Sequence, residues 1–389
     1  MAATKKGVWD LQEVRDKQLA SEWNYVGGGG LWVWGNNTRG MLALNQGPVN
    51  ARSSPTQVGT SPNWLTLGIG PIYSGMATGA IKSDGTLWSW GYNTSGELGH
   101  NNRTMCSSPT QVGTDTTWKN MATDRSMMAA VKTDGTLWTW GWNNDGKLGH
   151  NQGSGTGNKS SPTQIGSGTD WKEASCDYDS IVVVKTDGTL WAWGGNAYGE
   201  LGQNQKGIPT NQSSPVQIPG TTWVRATANT QTVLATKSDN TLWGWGFNDH
   251  GAIGANIGWP KARSSPVQIP GEWDPNSVSS GRATSGALRP DGTMFTWGSD
   301  AYGSGARNNT GSKSSPIQIP GTWQSVHMGY RSGGAMKTDG TLWVWGRNSG
   351  DGEGVLGQNS TTHHRSSPVQ VPGTWEKMQM YNQRIMAIR

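Results

Sequence analysis

Cysteine, phenylalanine, charge and long apolar runs are all scarce in this sequence. Its 389 residues include two cysteines and two phenylalanines, and 15% of them are charged. Cys106 and Cys176 lack metal-ligand spacing, so we expect free thiols, no disulfide framework and assembly in a reducing compartment. No apolar stretch reaches the roughly 18 residues of a membrane span, and residues 1–25 lack the apolar segment of a secretory signal. These absences exclude a disulfide-rich secreted domain and membrane insertion.

Features of metal, phosphate and nucleic-acid sites are also missing. The net charge of +5 is spread without a long basic run, which predicts an ordinary solvated surface and no nucleic-acid partner. None of the six histidines has a ligand partner at fixed spacing, so we expect neither a metal nor a cofactor. No Ser/His/Asp or Cys/His set stands out, so the sequence predicts a protein that is not an enzyme.

Tryptophan and glycine, in contrast, are abundant, with 24 and 58 residues. The motif Leu-Trp-x-Trp-Gly recurs along the chain, and one copy has Phe295 in place of the first tryptophan. The seven copies are Leu31–Gly35, Leu87–Gly91, Leu137–Gly141, Leu190–Gly194, Leu242–Gly246, Met294–Gly298 and Leu342–Gly346. A repeat that runs the length of the chain indicates one architecture rather than several domains.

Each copy belongs to a unit of four short strands. In the unit that begins at Trp118, the pattern predicts strands over residues 118–122, 127–132, 137–140 and 163–165. Asp134-Gly135, between the second and third strands, predicts a type I′ hairpin turn with positive φ at both residues. A Ser-Ser-Pro motif precedes the fourth strand, and its prolines are 50 to 54 residues apart throughout. Twenty tryptophans are in phase with this pattern, and we expect them to form the core.

Seven four-stranded units predict an all-β fold, a seven-bladed β-propeller over residues 27–389. The chain enters at a third strand, Leu31–Trp34, and finishes with a first and second strand after Trp375. Pairing of the N- and C-terminal strands in one blade would therefore close the ring and remove its free edges.

The repeat markers resemble the regulator of chromosome condensation repeat over about residues 27–389. The resemblance lies in the Asp-Gly turn, the aromatic-x-Trp-Gly strand, the Ser-Pro strand and the loop Asn-x-x-Gly-x-Leu-Gly at 93–99 and 196–202. It implies a seven-bladed propeller. The founding member is a nuclear guanine-nucleotide exchange factor that binds chromatin. Here no repeat contains an inserted wedge and the basic tail is limited to Lys5 and Lys6, so the resemblance implies the fold and not that activity.

Residues 1–26 differ from the repeats and predict an N-terminal anchoring arm. Asp10 and Glu13 have capping-box spacing, which predicts a short helix to near Trp23. The segment Gly-Val-Trp-Asp-Leu-Gln-Glu-Val-Arg-Asp resembles the N-termini of structural proteins of marine tailed phages. That resemblance implies a virion appendage, assembled in the host cytoplasm and held by other virion proteins, in several copies per particle. The expected anchoring residues are Trp9, Leu11, Val14, Arg15 and Trp23.

One face of the propeller is the candidate binding face. The Asp-Gly turns are alike in each unit, whereas the first-to-second turns and third-to-fourth loops on the opposite face differ. Those loops contribute aromatic and arginine side chains, which suit contact with a host glycan or protein. The candidate residues are Tyr73, Arg125, Trp142, Tyr178, Trp259, Arg282, Tyr330, Arg331 and Arg384, and Tyr92, Tyr198 and Tyr302 lie in the same long loops.

The sequence therefore favours a non-enzymatic virion structural protein, a tail- or particle-associated appendage of a tailed phage that presents one propeller face to a host or neighbouring protein. Two alternatives stay open. The first is a soluble protein-interaction propeller that resembles a GTPase regulator. The second is a carbohydrate-active enzyme in which loop carboxylates such as Asp177, Asp179, Asp351 and Glu353 form a hydrolytic pair.

Overall fold

Seven four-stranded antiparallel sheets form the described part of the chain. The computed structural model describes residues 29–46, 51–69, 77–124, 126–153, 155–258, 262–308, 311–348, 354–381 and 383–389. The predicted all-β seven-bladed propeller is confirmed. The predicted arm, residues 1–26 with its short helix, lies outside the described residues. Within the described ranges, no helix has the length and apolar character that crossing a membrane requires.

Blades are numbered here from the N-terminus, so that blade 1 contains both chain ends. The strands of blade 1 are Leu31–Gly35, Arg52–Gln57, Lys377–Tyr381 and Arg384–Ile388. Blades 2 to 4 consist of Trp64–Ile69, Ala77–Lys82, Leu87–Gly91 and Cys106–Gln111; Trp118–Thr123, Met127–Lys132, Leu137–Gly141 and Lys159–Gln164; and Trp171–Cys176, Ser180–Lys185, Leu190–Gly194 and Gln212–Ile218. Blades 5 to 7 consist of Trp223–Asn229, Thr232–Lys237, Leu242–Gly246 and Arg263–Ile269; Val278–Ser280, Thr284–Leu288, Thr293–Gly298 and Lys313–Thr322; and Ser325–Met328, Ser332–Met336, Leu342–Gly346 and Arg365–Val371.

Short 3-10 helices interrupt five of the long third-to-fourth connections. Within the described residues these helices are Thr38–Gly40, Asn144–Gly146, Ile208–Thr210, Asp249–Gly251 and Ala301–Gly303. These connections lie at the end of the ring that contains the candidate site.

Blade 1 closes the ring as the sequence predicts. Leu31–Gly35 pairs antiparallel with Arg384–Ile388, and Trp32 lies opposite Ala387. Next to this ladder, the Gly30 amide donates to the Arg389 carbonyl at 2.8 Å, and the Arg389 amide returns a bond to Gly30 at 3.1 Å. Because the two ends of the chain share one sheet, this blade has no more free edges than its neighbours.

The Asp-Gly hairpins occur where predicted, but their predicted type is wrong. In blade 3 Gly135 has φ +78°, whereas Asp134 is not among the residues with positive φ. The Asp134 carboxylate instead accepts bonds from the Thr136 amide at 2.9 Å and the Thr136 hydroxyl at 2.7 Å. The turn is a three-residue loop with glycine alone in the left-handed region. The aspartate therefore contributes to the turn through its side-chain hydrogen-bond acceptor and not through a positive φ.

Tryptophans form the contacts between blades, and their burial follows their position in the repeat. The second tryptophan of each pair is fully buried, and Trp140 donates from Nε1 to the Glu97 carbonyl of the preceding blade at 2.9 Å. Six other blade junctions carry the same bond, at Trp34–Val355, Trp90–Met41, Trp193–Lys147, Trp245–Glu200, Trp297–Ala252 and Trp345–Ser304. The tryptophan that opens each unit is also buried. The first tryptophan of each pair is only half-buried, which corrects the expectation of a wholly internal set.

A lysine covers the partly exposed tryptophan edge in most blades. In blade 3, Lys132 Nζ lies 4.8 Å from the ring centroid of Trp118 and 4.0 Å from that of Trp138. Equivalent cations at the same position are Lys82, Lys185, Lys237, Arg289, Lys337 and Arg389. Cation–π contacts of this kind contribute about 0.5–1 kcal/mol each at exposed sites.

Candidate functional site

The two ends of the propeller carry different connections. Because the strands of each blade alternate in direction, first-to-second turns and third-to-fourth loops meet at one end, called the loop face. The Asp-Gly turns lie at the other end, called the turn face. The loop face is the one that the sequence predicts as the binding face.

A contact repeated between neighbouring blades fixes the base of the loop face. In blade 2, Gly96 has φ +90°, and a Cβ there would lie 2.5 Å from the Ser160 Cα of blade 3. Nearby, the Asn101 amide donates to the Ser160 carbonyl at 2.7 Å. The other junctions repeat the glycine–serine approach at Gly40–Ser107, Gly146–Ser213, Gly199–Ser264, Gly251–Ser314, Gly303–Ser366 and Gly354–Ser53. The loop bases are therefore held rigidly, and differences between blades arise from the side chains above them.

A buried ion pair lies within blade 3 on this face, and its lysine also donates a hydrogen bond to blade 4. Lys147 Nζ lies 2.9 Å from Asp124 Oδ2, and neither side chain is more than 1% exposed. The same ammonium donates to the Tyr178 carbonyl at 3.0 Å and lies 5.6 Å from the Trp142 ring centroid. A buried charge pair of this kind is costly to break, since one charge would be left uncompensated. It fixes the positions of two of the predicted aromatic residues, Trp142 and Tyr178.

The Asp177 carboxylate connects blade 4 to blade 5. It is 1% exposed, and it accepts bonds from the Gln231 amide at 2.8 Å and the Tyr178 amide at 2.6 Å. The Ser180 hydroxyl donates to it at 3.3 Å. Burial raises the pKa of Asp177 well above its usual range, against the lowering effect of the amide bonds. This carboxylate holds the tight turn at Gln231, whose φ is +69°.

Glu200 is a second buried carboxyl group in the same region. Its Oε2 accepts a bond from the Tyr198 amide at 2.8 Å, and its Oε1 has no partner among the described residues. Burial raises the pKa of Glu200 to about 7, and the charge of Asp179 adds to the rise. The carboxyl group of Glu200 therefore titrates near neutral pH.

Arginine and tyrosine side chains from blades 6 and 7 form a cluster on the loop face. Arg282 and Arg331 lie 4.5 Å and 4.6 Å from the Tyr330 ring centroid. Arg331 and Arg347 both lie 5.1 Å from the Tyr302 ring centroid. These five residues are called the arginine–tyrosine cluster. Three cationic groups thus share two aromatic rings, on a face where Tyr302 is 41% exposed.

The predicted site residues divide into three groups. Trp142, Tyr178, Arg282, Tyr330 and Arg331 are half-buried on the loop face, and three of them belong to the arginine–tyrosine cluster. The residues outside the described part of the chain are Tyr73, Arg125, Trp259, Asp351, Glu353 and the anchoring residues Trp9, Leu11, Val14, Arg15 and Trp23.

Arg384 forms the third group, because the structure removes it from the exposed face. It is 1% exposed, and its Nη1 donates to the Thr78 hydroxyl of blade 2 at 2.9 Å. Burial lowers the pKa of its guanidinium to about 9. Arg384 is the first residue of a second strand, and the residues at that position in other blades, such as Met127 and Thr232, are buried too. Alignment of the repeats would have revealed this.

Sequence reasoning did not select Arg347 and His364, which adjoin the cluster. Arg347 directly follows the motif Leu342–Gly346, and His364 lies edge-on to Tyr302 with ring centroids 5.0 Å apart. Only the packing of two neighbouring blades brings these residues together. Among the described residues, no group of three or more histidine, cysteine or acidic side chains is placed to hold a metal ion.

Comparisons with known proteins agree with this architecture. A family model described as RCC1-like domain matches residues 30–388. The mitochondrial RCC1 domain-containing protein RUG3 of Arabidopsis thaliana is 28% identical over 286 residues, which cover 69% of this chain and 61% of RUG3. Human E3 ubiquitin-protein ligase HERC2 is 26% identical over 295 residues, which cover 71% of this chain and 6% of HERC2. The chain thus spans part of the length of these relatives.

Solved structures show the same fold at lower identity. Human WBSCR16 has a TM-score of 0.79 at 19% identity, with 92% of this chain and 98% of that chain covered. Prp20p of Saccharomyces cerevisiae has a TM-score of 0.78 at 18% identity, with 92% and 90% covered. The yeast structure of Kap60 bound to RCC1 (Prp20) has a TM-score of 0.80 at 16% identity, with 100% and 94% covered. Since the family match extends over residues 30–388, which include all seven blades, the chain belongs to the RCC1-like domain family.

Proposed function

We propose that this chain is a non-enzymatic interaction propeller whose loop face binds a partner protein. The contrast between the two faces carries the proposal. On the turn face, Asp-Gly-Thr hairpins repeat one hydrogen-bonded arrangement, as at Asp134–Thr136 and Asp339–Thr341. On the loop face, each pair of blades carries different aromatic and charged groups above a rigid base. Aromatic and arginine side chains on a rigid support are the residues that dominate binding at protein interfaces.

The family relationship supports the soluble-interaction alternative over the virion alternative. Yeast Prp20p has been studied for its binding to Gsp1p and histones, and Kap60 binds the same yeast protein. By analogy, a GTPase or another cellular protein is the class of partner to test first. The virion hypothesis stays a prediction that depends on residues 1–26, and the relatives described above do not support it.

The environment of Asp177 argues against the carbohydrate-active enzyme. A general acid or base must reach the proton it transfers, either directly or through one water molecule. Asp177 is 1% exposed, and its oxygens are occupied by the amides of Gln231 and Tyr178. We therefore interpret this carboxylate as a structural link between blades 4 and 5.

Binding of purified full-length chain to partner proteins tests the proposal. Proteins captured from cell extract would be identified, produced in pure form and titrated against the chain by calorimetry. We expect Trp142→Ala with Tyr178→Ala, or substitution of the arginine–tyrosine cluster, to weaken binding at least tenfold. Ser83→Glu with Thr133→Glu, two exposed turn-face positions, is the matched control and should bind as the wild type does. Binding lost only in the turn-face variant would overturn the proposal.

A nucleotide-release assay identifies the kind of interaction. Candidate GTPases loaded with fluorescent GDP would be mixed with the chain, and the release rate would be compared with the spontaneous rate. Acceleration that is lost in the loop-face variants would indicate exchange activity. Binding without acceleration would indicate a scaffold or adaptor role for the same face.

A further inference from the structure

We infer that Cys106 is a reactive thiol that forms mixed disulfides with low-molecular-weight disulfides, and that His100 is the base that takes its proton. Both residues lie at the loop-face end of blade 2, where Cys106 begins the fourth strand. Sequence reasoning found no Cys/His set, because the loop that joins these residues brings their side chains together only in the folded chain. The inference goes beyond the proposed function and does not depend on a partner protein.

Hydrogen bonds assign the proton of the His100 ring to Nε2. The Ser89 hydroxyl donates to the Leu98 carbonyl at 2.7 Å, so it acts as an acceptor towards His100 Nε2, which lies 2.9 Å away. The Thr110 carbonyl, 3.3 Å from the same nitrogen, can only accept. Nε2 therefore carries the hydrogen, and in a neutral imidazole the other nitrogen, Nδ1, is then an acceptor.

Other blades use the same loop position as a hydrogen-bond donor. Gln203 in blade 4 and Gln358 in blade 7 follow a Leu-Gly pair, as His100 does. Their amide groups donate from Nε2 to the fourth-strand carbonyls of Gln217 and Gln370, at 2.7 Å and 2.9 Å. The repeat thus agrees with Nε2 as the donor nitrogen of His100.

The second nitrogen of the ring faces the thiol. His100 Nδ1 lies 4.0 Å from Cys106 Sγ, within the longer reach of hydrogen bonds that involve sulfur. The Thr104 carbonyl is also 4.0 Å from Sγ, but a carbonyl oxygen accepts a hydrogen bond without removing the proton. Burial lowers the pKa of His100, so the ring is neutral at pH 7 and its Nδ1 can accept the thiol proton.

Cys106 is open to a small reagent, whereas the other thiol is not. Cys106 is partly exposed, and residues 101–105 of the preceding loop are exposed. In the other six blades, the position opposite the glycine of the Trp-Gly motif holds a long polar side chain, at Arg52, Lys159, Gln212, Arg263, Lys313 and Arg365. Blade 2 has the short side chain of Cys106 there. Cys176 is 7% exposed, and burial raises the pKa of its thiol well above the usual range.

The expected reaction is thiol–disulfide exchange. As Cys106 Sγ attacks one sulfur of the small disulfide, its proton passes to His100 Nδ1, a new S–S bond forms and the S–S bond of the reagent breaks. The leaving thiolate then takes the proton from the imidazolium, so one small thiol is released for each mixed disulfide. The thiolate is the attacking species in such exchange, and a positioned base promotes its formation. An added thiol reverses the reaction.

The reaction of the full chain with dithiodipyridine, a small aromatic disulfide, is the test, and the absorbance of the released thiol gives the rate. We expect one fast equivalent, which peptide mapping assigns to Cys106, and a much slower one at Cys176. His100→Gln should slow the fast reaction at least tenfold at pH 7. His150→Gln is the matched control and should not change it, because His150 occupies the same position in blade 3 and faces Thr139 at 3.1 Å.

Reactivity at high pH separates loss of the base from loss of access to the thiol. At about pH 10 an ordinary thiol is ionised without a base, so wild type and His100→Gln should react at similar rates there. Thermal melting of each variant would confirm that it is folded. Equal rates of these two proteins at pH 7, or a fast reaction that maps to Cys176, would overturn the inference. A variant that stayed slow at high pH would overturn the assignment of His100 as the base.

Discussion

One buried position of the repeat carries an ionisable residue in several blades, and the neighbouring side chains determine whether its charge is paired. The residue after the loop glycine is Glu97 in blade 2, Lys147 in blade 3 and Glu200 in blade 4, and all three are at most 1% exposed. Lys147 meets Asp124 and forms an ion pair. Glu97 and Glu200 each leave Oε1 without a partner among the described residues, and burial raises the pKa of both. The repeat determines that this position is buried, whereas the side chains around it in each blade determine whether its charge has a partner.

Glu200→Gln should flatten the pH dependence of stability. The pKa of Glu200 is about 7 in the folded chain, above the value of about 4.3 expected in the unfolded chain. The folded state therefore binds the proton more tightly, so this group favours folding below pH 4 and loses that contribution as pH rises to 7. The difference corresponds to about 3–4 kcal/mol in the free energy of unfolding. Guanidinium titrations between pH 4.5 and 8 would measure it.

The exposed carboxylate of Glu272 is the control for this prediction. Glu272→Gln replaces an exposed surface residue and should change the free energy of unfolding by less than about 0.5 kcal/mol. If Glu200→Gln kept the wild-type slope, the pKa of Glu200 would not be raised by burial in the folded chain.

Single residues also show which features of the site could not be predicted from the sequence. The positions of Tyr330 and Arg331 on the loop face follow from the variable turns of the repeat. The ion pair of Lys147 with Asp124 does not, because its partners are 23 residues apart and come together only through the fold of one blade. Arg384 is the clearest error, since a charged residue near a variable turn was expected to be exposed. Its place at the start of a second strand directs it into the junction with blade 2.

At the scale of elements, glycine decides how closely a loop approaches the next blade. Gly96 and Gly113 both have positive φ, at +90° and +61°. A Cβ at Gly96 would lie 2.5 Å from the Ser160 Cα, whereas a Cβ at Gly113 would have nothing within 4 Å. The two positions separate the cost of the backbone conformation from the cost of the contact.

Gly96→Ala should therefore destabilise the chain far more than Gly113→Ala. The conformational cost of alanine in the left-handed region is roughly 1–2 kcal/mol at either site. At Gly96 the methyl group also meets backbone, and such overpacking adds about 1–3 kcal/mol. Thermal or guanidinium unfolding of the two variants measures the difference. Equal losses would show that the contact with Ser160 contributes nothing to holding the loop.

The positions of the strands and hairpins were predicted more completely than the turn type and the strand bounds. The six hairpin positions follow from the Asp-Gly-Thr pattern, in which one copy has Asn240 in place of glycine, and the four strands of each blade follow from its spacing. The turn type was wrong because the pattern does not distinguish an aspartate that adopts positive φ from one that caps the chain with its carboxylate, as Asp134 does for Thr136. The fourth strand was also predicted to begin too far along the chain. In blade 3 it begins at Lys159 and not at Thr163, so that Pro162 lies within an edge strand.

For the whole molecule, the sequence repeat was sufficient to predict the fold, but it predicted the candidate site only in part. Seven in-phase copies predict seven blades and the shared blade 1, and both are confirmed. The candidate site depends on what differs between blades, such as the contact of Arg331 with Tyr302 of the preceding blade. A single sequence shows which loops vary, but the side chains that meet across a junction depend on packing that the repeat does not encode.

Closure of the ring is the property that belongs to the molecule as a whole, and truncation after Trp375 tests it. The deletion removes Lys377–Tyr381 and Arg384–Ile388, which leaves Leu31–Gly35 with an unpaired edge. It also removes the Arg384 bond to Thr78 of blade 2. Since each blade is supported by two neighbours, we expect the truncated chain to lose the single cooperative unfolding transition of the full chain and to melt broadly at lower temperature.

A peptide of residues 376–389 added in trans is the control for that truncation, because it supplies both missing strands. It should restore a sharp calorimetric transition by pairing with Leu31–Gly35 in the register that places Trp32 opposite Ala387. A version with Ala387→Pro cannot donate the backbone hydrogen bond at that position and should fail to restore it. A truncated chain that melted like the full chain without any peptide would show that the six other blades are stable as an open arc, and that pairing of the two chain ends is not what makes unfolding cooperative.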